Sequence, residues 1–279
     1  MSLPSLAHVS ESAVFASDLP AVSWLLCTHV ANAQLRQAVQ SCLVQSFTDF
    51  EVLLVINGSA AVDLANMVKV WFGADQRVRI FTTEVRHLTF SLSLGLHHAR
   101  ADLVARMDSD DLSTPDRLAR QVAFMREHPE VAVLGSAYQI IDANERAQET
   151  VNLPLKDAAV RRALLWGNPL CHPSVMFRRQ VVLQVGGYLG GLHAEDYDLW
   201  LRLASNPAIK FANLEVVCLG YRSVGAGTAR RARSGYASMA SAQFRHFVNG
   251  FGIRWLLAAL VSTLKAFVRS NKASPSGTT

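Results

Sequence analysis

The chain lacks any hydrophobic run as long as the roughly 20 residues that a membrane-spanning helix needs, although half of its 279 residues are hydrophobic. Its four cysteines are widely spaced without a CxxC pair, so structural thiols in a reducing compartment are expected and a zinc site is not. No GxGxxG follows the first predicted strand, and no GxxxxGKS or GxxxxGKT occurs anywhere, which argues against dinucleotide-dependent dehydrogenases and P-loop enzymes. With 18% charged residues, the composition indicates a globular chain with one large core.

Acidic residues are absent after Glu215, although nine of the 27 Lys and Arg residues lie there. The first 215 residues carry 18 basic against 22 acidic residues, so the net charge of +5 comes from the C-terminal segment alone. That segment is expected to meet an anionic surface, and nucleic acid is not an expected partner. Residues 1–20 contain Glu11 and Asp18 and lack the basic start of a secretory signal, so a cytoplasmic location is expected.

Apolar segments of strand type alternate with segments of helical periodicity from residue 22 onward. Strands are predicted at residues 22–27, 50–56, 78–81 and 103–107, and helices at residues 35–43, 64–72, 92–99 and 117–127. Asn32 is placed to cap the first helix and Thr114 the fourth, with Pro115 at its first helical position. This alternation predicts an α/β fold with a mostly parallel sheet and helices on both faces.

Beyond residue 111 the alternation loosens. A short apolar segment at residues 131–135 precedes a polar, variable stretch to about residue 159, and residues 171–179 predict a turn that leads into a short strand. The glycine-rich residues 186–191 predict a mobile loop. Leu199, Trp200 and Leu203 recur at helical spacing, which leaves Glu195 and Asp196 in a first helical turn. Favourable interaction with the helix dipole is the simplest account of these two carboxylates.

Three carboxylates, Asp108, Asp110 and Asp111, follow the fourth strand directly. Open α/β sheets bind their ligands at the carboxyl ends of the strands. Clustered carboxylates repel one another, but together they bind a hard cation such as Mg²⁺ or Mn²⁺ that bridges to a diphosphate. A solvated acidic turn is the alternative. The nucleophile loop of haloacid-dehalogenase-type phosphatases is another, although that loop normally follows the first strand.

Taken together, these segments resemble the family 2 glycosyltransferases of the GT-A fold, which move a sugar from a nucleoside diphosphate to an acceptor. The resemblance extends over about residues 22–221. It is carried, in order, by residues 35–47, by residues 105–111 with 115–118, and by residues 172–179, 186–188 and 195–200.

The resemblance implies a role for individual residues. Asp108 and Asp110 would hold Mn²⁺ or Mg²⁺, Asp196 would be the general base, and Glu195 would orient the acceptor or raise the pKa of Asp196. The implied donor contacts, to a UDP, GDP or dTDP sugar, are Thr28, His29, Asn57, Arg106, Asp108 and Ser109. The implied acceptor-side residues are His172 and Trp200.

The sequence departs from the family pattern at several positions. Two aspartates usually end the second strand, and Ile56 and Asn57 stand there instead, so the base of the donor nucleotide is left open. A histidine that commonly follows the Tyr-Arg pair is replaced by Ser223, which weakens the expectation of metal dependence. The Gln-x-x-Arg-Trp motif of processive synthases is absent, which favours the transfer of one sugar per encounter.

The sequence thus predicts a GT-A domain at residues 1–225, with a donor half at about 20–111 and an acceptor half at 112–225, and a basic helical tail at 226–279. The predicted reaction is inverting, non-processive sugar transfer to a glycan or lipid-linked acceptor in surface polysaccharide or glycolipid synthesis. An inactive membrane-bound scaffold and a metal-dependent phosphohydrolase are the alternatives.

A helix at residues 253–272 would gather Arg254, Lys265, Arg269 and Lys272 on one side. This helix either packs on the protein or on a second subunit, or lies at the inner face of the cytoplasmic membrane, attached as a peripheral protein.

Overall fold

The computed structural model describes residues 19–190, 193–222 and 233–270, without the side chains of Arg269 and Ser270. Four features treated above lie outside this range: residues 1–18, the end of the glycine-rich segment at Gly191, Ser223 and Lys272.

Four parallel strands form the first half of the sheet: β1 (Val22–Thr28), β2 (Phe50–Asn57), β3 (Val78–Thr83) and β4 (Leu103–Asp108). They lie in the order β3-β2-β1-β4, and every residue of β1 and β2 is buried. Parallel strands covered on both faces have this nearly continuous apolar character. The α/β class predicted from the sequence is confirmed.

Helices α1 (Ala33–Leu43), α2 (Ala61–Phe72) and α3 (Leu88–His98) connect these strands. The predicted cap of α1 is present, because the N–H of Leu35 donates to Asn32 Oδ1 at 2.9 Å. A Cβ added at Gly95 of α3 would lie 2.2 Å from Leu25 Cδ1, so glycine allows this helix to approach the sheet closely.

The second half of the sheet is mixed: β5 (Leu112–Ser113), β6 (Val131–Ile141), β7 (Ala147–Val151), β8 (Met176–Arg178) and β9 (Lys210–Arg222). The order continues from β4 as β8-β6-β9-β5, with β7 on β6. The stretch predicted as variable contains β7 and the start of α5 (Asp157–Leu164). The short turn and strand predicted around residue 175 are present as a 3₁₀ turn, His172–Ser174, followed by β8.

Helix α4 (Arg117–Glu127) begins later than the cap prediction required. Asp116 holds the cap position, so the predicted cap at Thr114 and the first-turn position of Pro115 are wrong. The hydroxyl of Thr114 instead donates to Asp116 Oδ1 at 3.1 Å, and its N–H donates to the carbonyl of Cys218 at 3.1 Å, which ties this residue to β9.

The remaining helices are α6 (Arg179–Gln184), α7 (Glu195–Ala204), α8 (Arg233–His246) and α9 (Ile253–Ser270), with a π-helical turn at Phe247–Phe251. Helix α8 is joined to α7, because Gln243 Nε2 donates to the hydroxyl of Tyr197 at 3.0 Å and to the carbonyl of Leu165 at 3.1 Å. Within the described part of the chain, every helix is too short or too polar to cross a membrane.

Candidate active site

A cleft of about 410 Å³ opens where β1, β2 and β4 end. Its position agrees with the rule that open α/β sheets bind ligands beyond the carboxyl ends of their strands. The predicted site residues that line it are Thr28, His29, Asn57, Asp108, Ser109 and Asp110.

The cleft also contains residues that the sequence reasoning missed. Arg86 and His87 lie in the loop between β3 and α3, and both line the same cleft as Asp108 and Asp110. The signal was available, because this loop follows the carboxyl end of a parallel strand that neighbours β2. An exposed guanidinium in the same cleft as a carboxylate cluster suits an anionic ligand that is bound through a cation.

The acidic cluster brings together all three carboxylates that follow β4, one more than the two that the resemblance assigned to the cation. Oxygens of Asp108, Asp110 and Asp111 lie within 4.8 Å of one another. Asp111 is fully buried, its Oδ1 accepts from the N–H of Arg222 at 2.8 Å, and its Oδ2 has no hydrogen-bond partner in the described residues. Burial, and then the charge of Asp108, raise the pKa of Asp111 well above its usual value.

This donor set fits a divalent cation. Three carboxylates are the oxygen ligands that Mg²⁺ and Mn²⁺ prefer. A cation would relieve the mutual repulsion of the cluster and give the unpartnered Oδ2 of Asp111 a favourable partner. Asp108, Asp110 and Asp111 are therefore the residues that would hold it.

Arg106 connects this cluster to the second acidic group. The residue is 2% exposed, and its Nη2 donates to Oδ1 of Asp108, which lines the cleft, at 2.6 Å. Its positive charge adds to the effect of burial in lowering the pKa of His172, and it partly opposes the rise that burial causes in the pKa values of Glu195 and Asp196. The two carboxylate groups, remote in sequence, thus share one buried counter-charge. The predicted donor contact of Arg106 stays a prediction.

Asp196 is held from two sides at the start of α7. The side chain of Asn168 donates through Nδ2 to Asp196 Oδ2 at 2.5 Å, and the N–H of Tyr197 donates to Oδ1 at 2.8 Å. Burial, and then the neighbouring charge of Glu195, raise the pKa of Asp196 to about 7. A carboxylate in this state is half ionised at neutral pH and is matched to proton transfer there.

The backbone before α7 is strained and close-packed. Ala194 adopts a left-handed conformation with φ of 58°, which is uncommon for a residue other than glycine. A Cβ added at Gly190 would lie 2.5 Å from the Cα of Glu195, so only glycine allows this approach. Strain of this kind concentrates at functional sites, where the surrounding structure holds it in place.

Glu195 and His172 form a buried polar pair beside Asp196. Burial raises the pKa of Glu195 and lowers the pKa of His172 well below its usual value, so the imidazole is neutral at physiological pH. Its Nδ1 lies 3.8 Å from Glu195 Oε1, which is too long for a hydrogen bond, and its Nε2 lies 2.9 Å from the hydroxyl of Tyr188. Trp200 is fully buried and edge-on to His172 at 6.1 Å. The predicted acceptor-side roles of His172 and Trp200 stay predictions.

Comparison with known proteins identifies related sequences. The model of the family described as glycosyl transferase family 2 matches residues 23–186. The chain is 31% identical over 252 residues to the O-antigen biosynthesis glycosyltransferase WbnJ of Escherichia coli, covering 90% of this chain and 98% of that protein. It is 27% identical over 192 residues to the UDP-Gal:alpha-D-GlcNAc-diphosphoundecaprenol beta-1,3-galactosyltransferase of Escherichia coli, covering 68% and 70%.

A solved structure shares the fold. The crystal structure of S. aureus TarS 1–349 superimposes with a TM-score of 0.63 at 16% identity, over 90% of this chain and 73% of that one. The same protein in complex with UDP-GlcNAc gives a TM-score of 0.63 at 15% identity, over 91% and 73%.

Proposed function

Since this chain belongs to glycosyl transferase family 2, we propose that it transfers one sugar at a time from a nucleoside-diphosphate sugar to a glycan or lipid-linked acceptor, with inversion at the anomeric carbon. The fold is GT-A, and the chain is a glycosyltransferase. A UDP-type donor is the first choice, because one relative is named for UDP-Gal and the structural neighbour was solved with UDP and UDP-GlcNAc. GDP and dTDP sugars are the alternatives.

One observation carries the proposal: among the described residues, the carboxylate Asp196 is fixed by two hydrogen bonds, and the buried Arg106 that pairs with Asp108 of the donor cleft also acts electrostatically on it. Asp196 accepts the proton of the acceptor hydroxyl while that oxygen attacks the anomeric carbon. The new carbon–oxygen bond forms on one face as the bond to the diphosphate breaks on the other. Direct displacement of this kind inverts the anomeric centre.

The donor side would stabilise the departing diphosphate. A divalent cation held by Asp108, Asp110 and Asp111 would supply positive charge where negative charge develops. Arg86 lies in the same cleft and would add a second cationic contact to the diphosphate. Asn57 donates through Nδ2 to Ser91 Oγ at 3.0 Å, which leaves its carbonyl oxygen to accept a hydrogen bond from the nucleoside.

The pH dependence of the reaction tests the base. The active form of Asp196 is the ionised one, so kcat/KM is expected to rise about tenfold per pH unit at low pH and to level off above about 7. The measurement is a pH profile of kcat/KM at saturating donor. In Asp196→Asn the acid limb should be absent, and a wild-type profile that stays flat through neutral pH contradicts the assignment.

The requirement for an acceptor separates this function from its two rivals. Purified protein is incubated with UDP, GDP and dTDP sugars and Mn²⁺, with and without a glycan or prenyl-diphosphate-sugar acceptor. A glycosyltransferase releases nucleoside diphosphate only with acceptor, and the anomeric configuration of its product gives the stereochemistry. Release of inorganic phosphate without acceptor would support a phosphohydrolase. Binding of the sugar nucleotide with no turnover on any acceptor would support a scaffold.

We propose that the reaction takes place at the inner face of the cytoplasmic membrane, in the synthesis of a surface polysaccharide or glycolipid. The relatives support this, because one is named for O-antigen biosynthesis and another for a sugar-diphosphoundecaprenol acceptor. The acid-free C-terminal segment also supports it, since a basic segment is attracted to anionic lipid.

A further inference from the structure

The face of α9 that points away from the protein is apolar. Small side chains form the opposite, packed face, where Ala258, Ala259, Ser262 and Ala266 are buried. At about 100° per residue, the large apolar side chains lie on the other side of the helix. They are 38–62% exposed: Ile253, Leu257, Leu260, Val261, Leu264, Phe267 and Val268. Phe244 and Val248, 51% and 64% exposed, extend this outward face beyond α9.

The positive charges beside this face favour an anionic lipid surface over a second copy of the protein as its partner. Arg254 and Lys265 are exposed and lie along one edge of it, within about 100° of its centre. No acidic residue follows Glu215, so neither α8 nor α9 supplies an anion to this face. Two copies of this face packed together would bring like charges close. An anionic lipid surface offers both the acyl layer that the apolar side chains need and the headgroups that the cations need.

We propose that the outward face of α9 is the surface by which this protein binds an anionic lipid bilayer, with the helix axis in the plane of the membrane. Among the described residues no helix, α9 included, is both long and apolar enough to cross a membrane. The sequence alone left a second arrangement open, in which the large apolar residues pack on the protein. The small-residue packing face excludes that arrangement.

The proposed lipid-binding face on α9 is linked to the proposed base Asp196 by contacts through α8. Helix α8 contacts α9 and is hydrogen-bonded through Gln243 to Tyr197, the residue that follows Asp196. Arg245 of α8 also forms an ion pair with Asp198 on α7. A protein bound to the bilayer through α9 would therefore hold Asp196 at a fixed distance from the headgroups. The link to Asp196 rests on the proposed function, and it favours a lipid-linked acceptor over a soluble glycan.

Co-sedimentation with vesicles tests the surface. The full chain is expected to sediment with vesicles of phosphatidylglycerol and phosphatidylcholine at low salt, to bind less as salt rises, and to bind phosphatidylcholine alone weakly. Replacing Leu257 and Leu264 with serine should weaken partitioning at least about tenfold, because each leucine loses its burial among acyl chains. The matched control replaces Val62 and Val70 of α2 with serine. These residues are 64% and 84% exposed, and the control should bind vesicles as the wild type does.

A charge variant completes the design. Arg254→Gln with Lys265→Gln should remove the preference for anionic vesicles and most of the salt dependence. Two results overturn the proposal. One is a full chain that ignores anionic vesicles at low salt. The other is a stable dimer that the leucine variant dissociates while vesicle binding is unchanged, which would assign the face to a second copy. Vesicle binding and oligomeric state are measured without the sugar donor, so these results do not depend on whether the proposed sugar transfer is correct.

A second inference concerns Asn168, in the loop after α5. Its Oδ1 accepts from the N–H of Leu170 at 3.2 Å, which fixes the amide so that Nδ2 points to Asp196. The loop is itself anchored, because Asn213 Nδ2 donates to the carbonyl of Pro169 at 3.1 Å. We infer that Asn168 is a positioning residue that fixes the carboxylate of Asp196 towards the acceptor; this inference rests on the proposed function.

The pH profile distinguishes positioning from a structural role. Because the bond from Asn168 favours the ionised form of Asp196, Asn168→Ala should move the acid limb of kcat/KM to higher pH and lower kcat, with donor affinity unchanged. Asn168→Asp places a second carboxylate beside Asp196 and should move the limb further. Equal pH profiles in wild type and both variants overturn the inference. Absence of an Asp196-dependent limb in the wild type would instead overturn the proposed base.

Discussion

Asp196→Asn is expected to lower turnover by roughly 10²–10⁴-fold, the usual cost of losing a general base, while donor affinity stays near the wild-type value. Asparagine keeps the size of the side chain but cannot accept the proton of the acceptor hydroxyl. The donor cleft lies at the ends of β1, β2 and β4 and does not include Asp196, so binding of the nucleotide is left intact. Turnover is measured with saturating acceptor, and donor affinity by calorimetry.

The Asp196→Asn experiment needs one control for folding and one for the neighbouring carboxylate Glu195. The amide of Asp196→Asn replaces one acceptor oxygen with a donor, so it loses either the bond from Asn168 or the bond from Tyr197. Thermal unfolding of the variant checks that the start of α7 survives. Glu195→Gln is the neighbour control and should cost less turnover. Near-normal turnover of Asp196→Asn would place the base elsewhere, with Glu195 the first residue to test.

The strands of the first half could be predicted because burial on both faces leaves a plain signal. Strand β2 is a continuous apolar run, and the observed bounds differ from the predicted ones by one residue. Strand β7 gave no such signal, because four of its five residues are exposed and it pairs at the edge of the sheet on β6. Helix α3 was predicted to begin at residue 92 but begins at Leu88, since the buried polar residues Thr89 and Ser91 interrupt its apolar pattern.

The site residues that stand at strand ends could be predicted from the sequence. Features of the site that depend on contacts between residues distant in sequence could not. Asp108 and Asp110 follow a buried strand, and the sequence places them at the edge of the sheet. The burial of Asp111 depends on Arg222, which is 111 residues away, and the contact of Asn168 with Asp196 joins positions 28 apart. No local periodicity encodes such contacts. The same limit applies to α9. The sequence predicts where apolar and basic side chains lie around this helix, but it does not predict which side of the helix packs on the protein.

Asp110→Asn is expected to weaken binding of a nucleoside diphosphate in the presence of Mn²⁺ by at least roughly tenfold, since even the outer partners of metal ligands cost 10–100-fold in metal affinity. Asp110 lines the donor cleft, and its carboxylate belongs to the cluster that would hold the cation next to the diphosphate. Calorimetric titration of wild type and variant, each with and without Mn²⁺, measures the effect. Without the cation, the variant should bind as well as wild type or better, because one negative charge facing the diphosphate is gone.

Two further variants show whether the effect belongs to the metal cluster. Asp116→Asn removes a carboxylate from the same segment that is paired with Arg120 on the surface, and it should leave binding with Mn²⁺ unchanged. Asp111→Asn keeps the side-chain oxygen that accepts from the N–H of Arg222 but removes the charge of the third member. If Asp111 is a ligand, this variant weakens binding only when Mn²⁺ is present. Equal Mn²⁺-dependent affinity in wild type and Asp110→Asn would show that the cluster holds no cation at the diphosphate, and Arg86 would then be the principal contact to the leaving group.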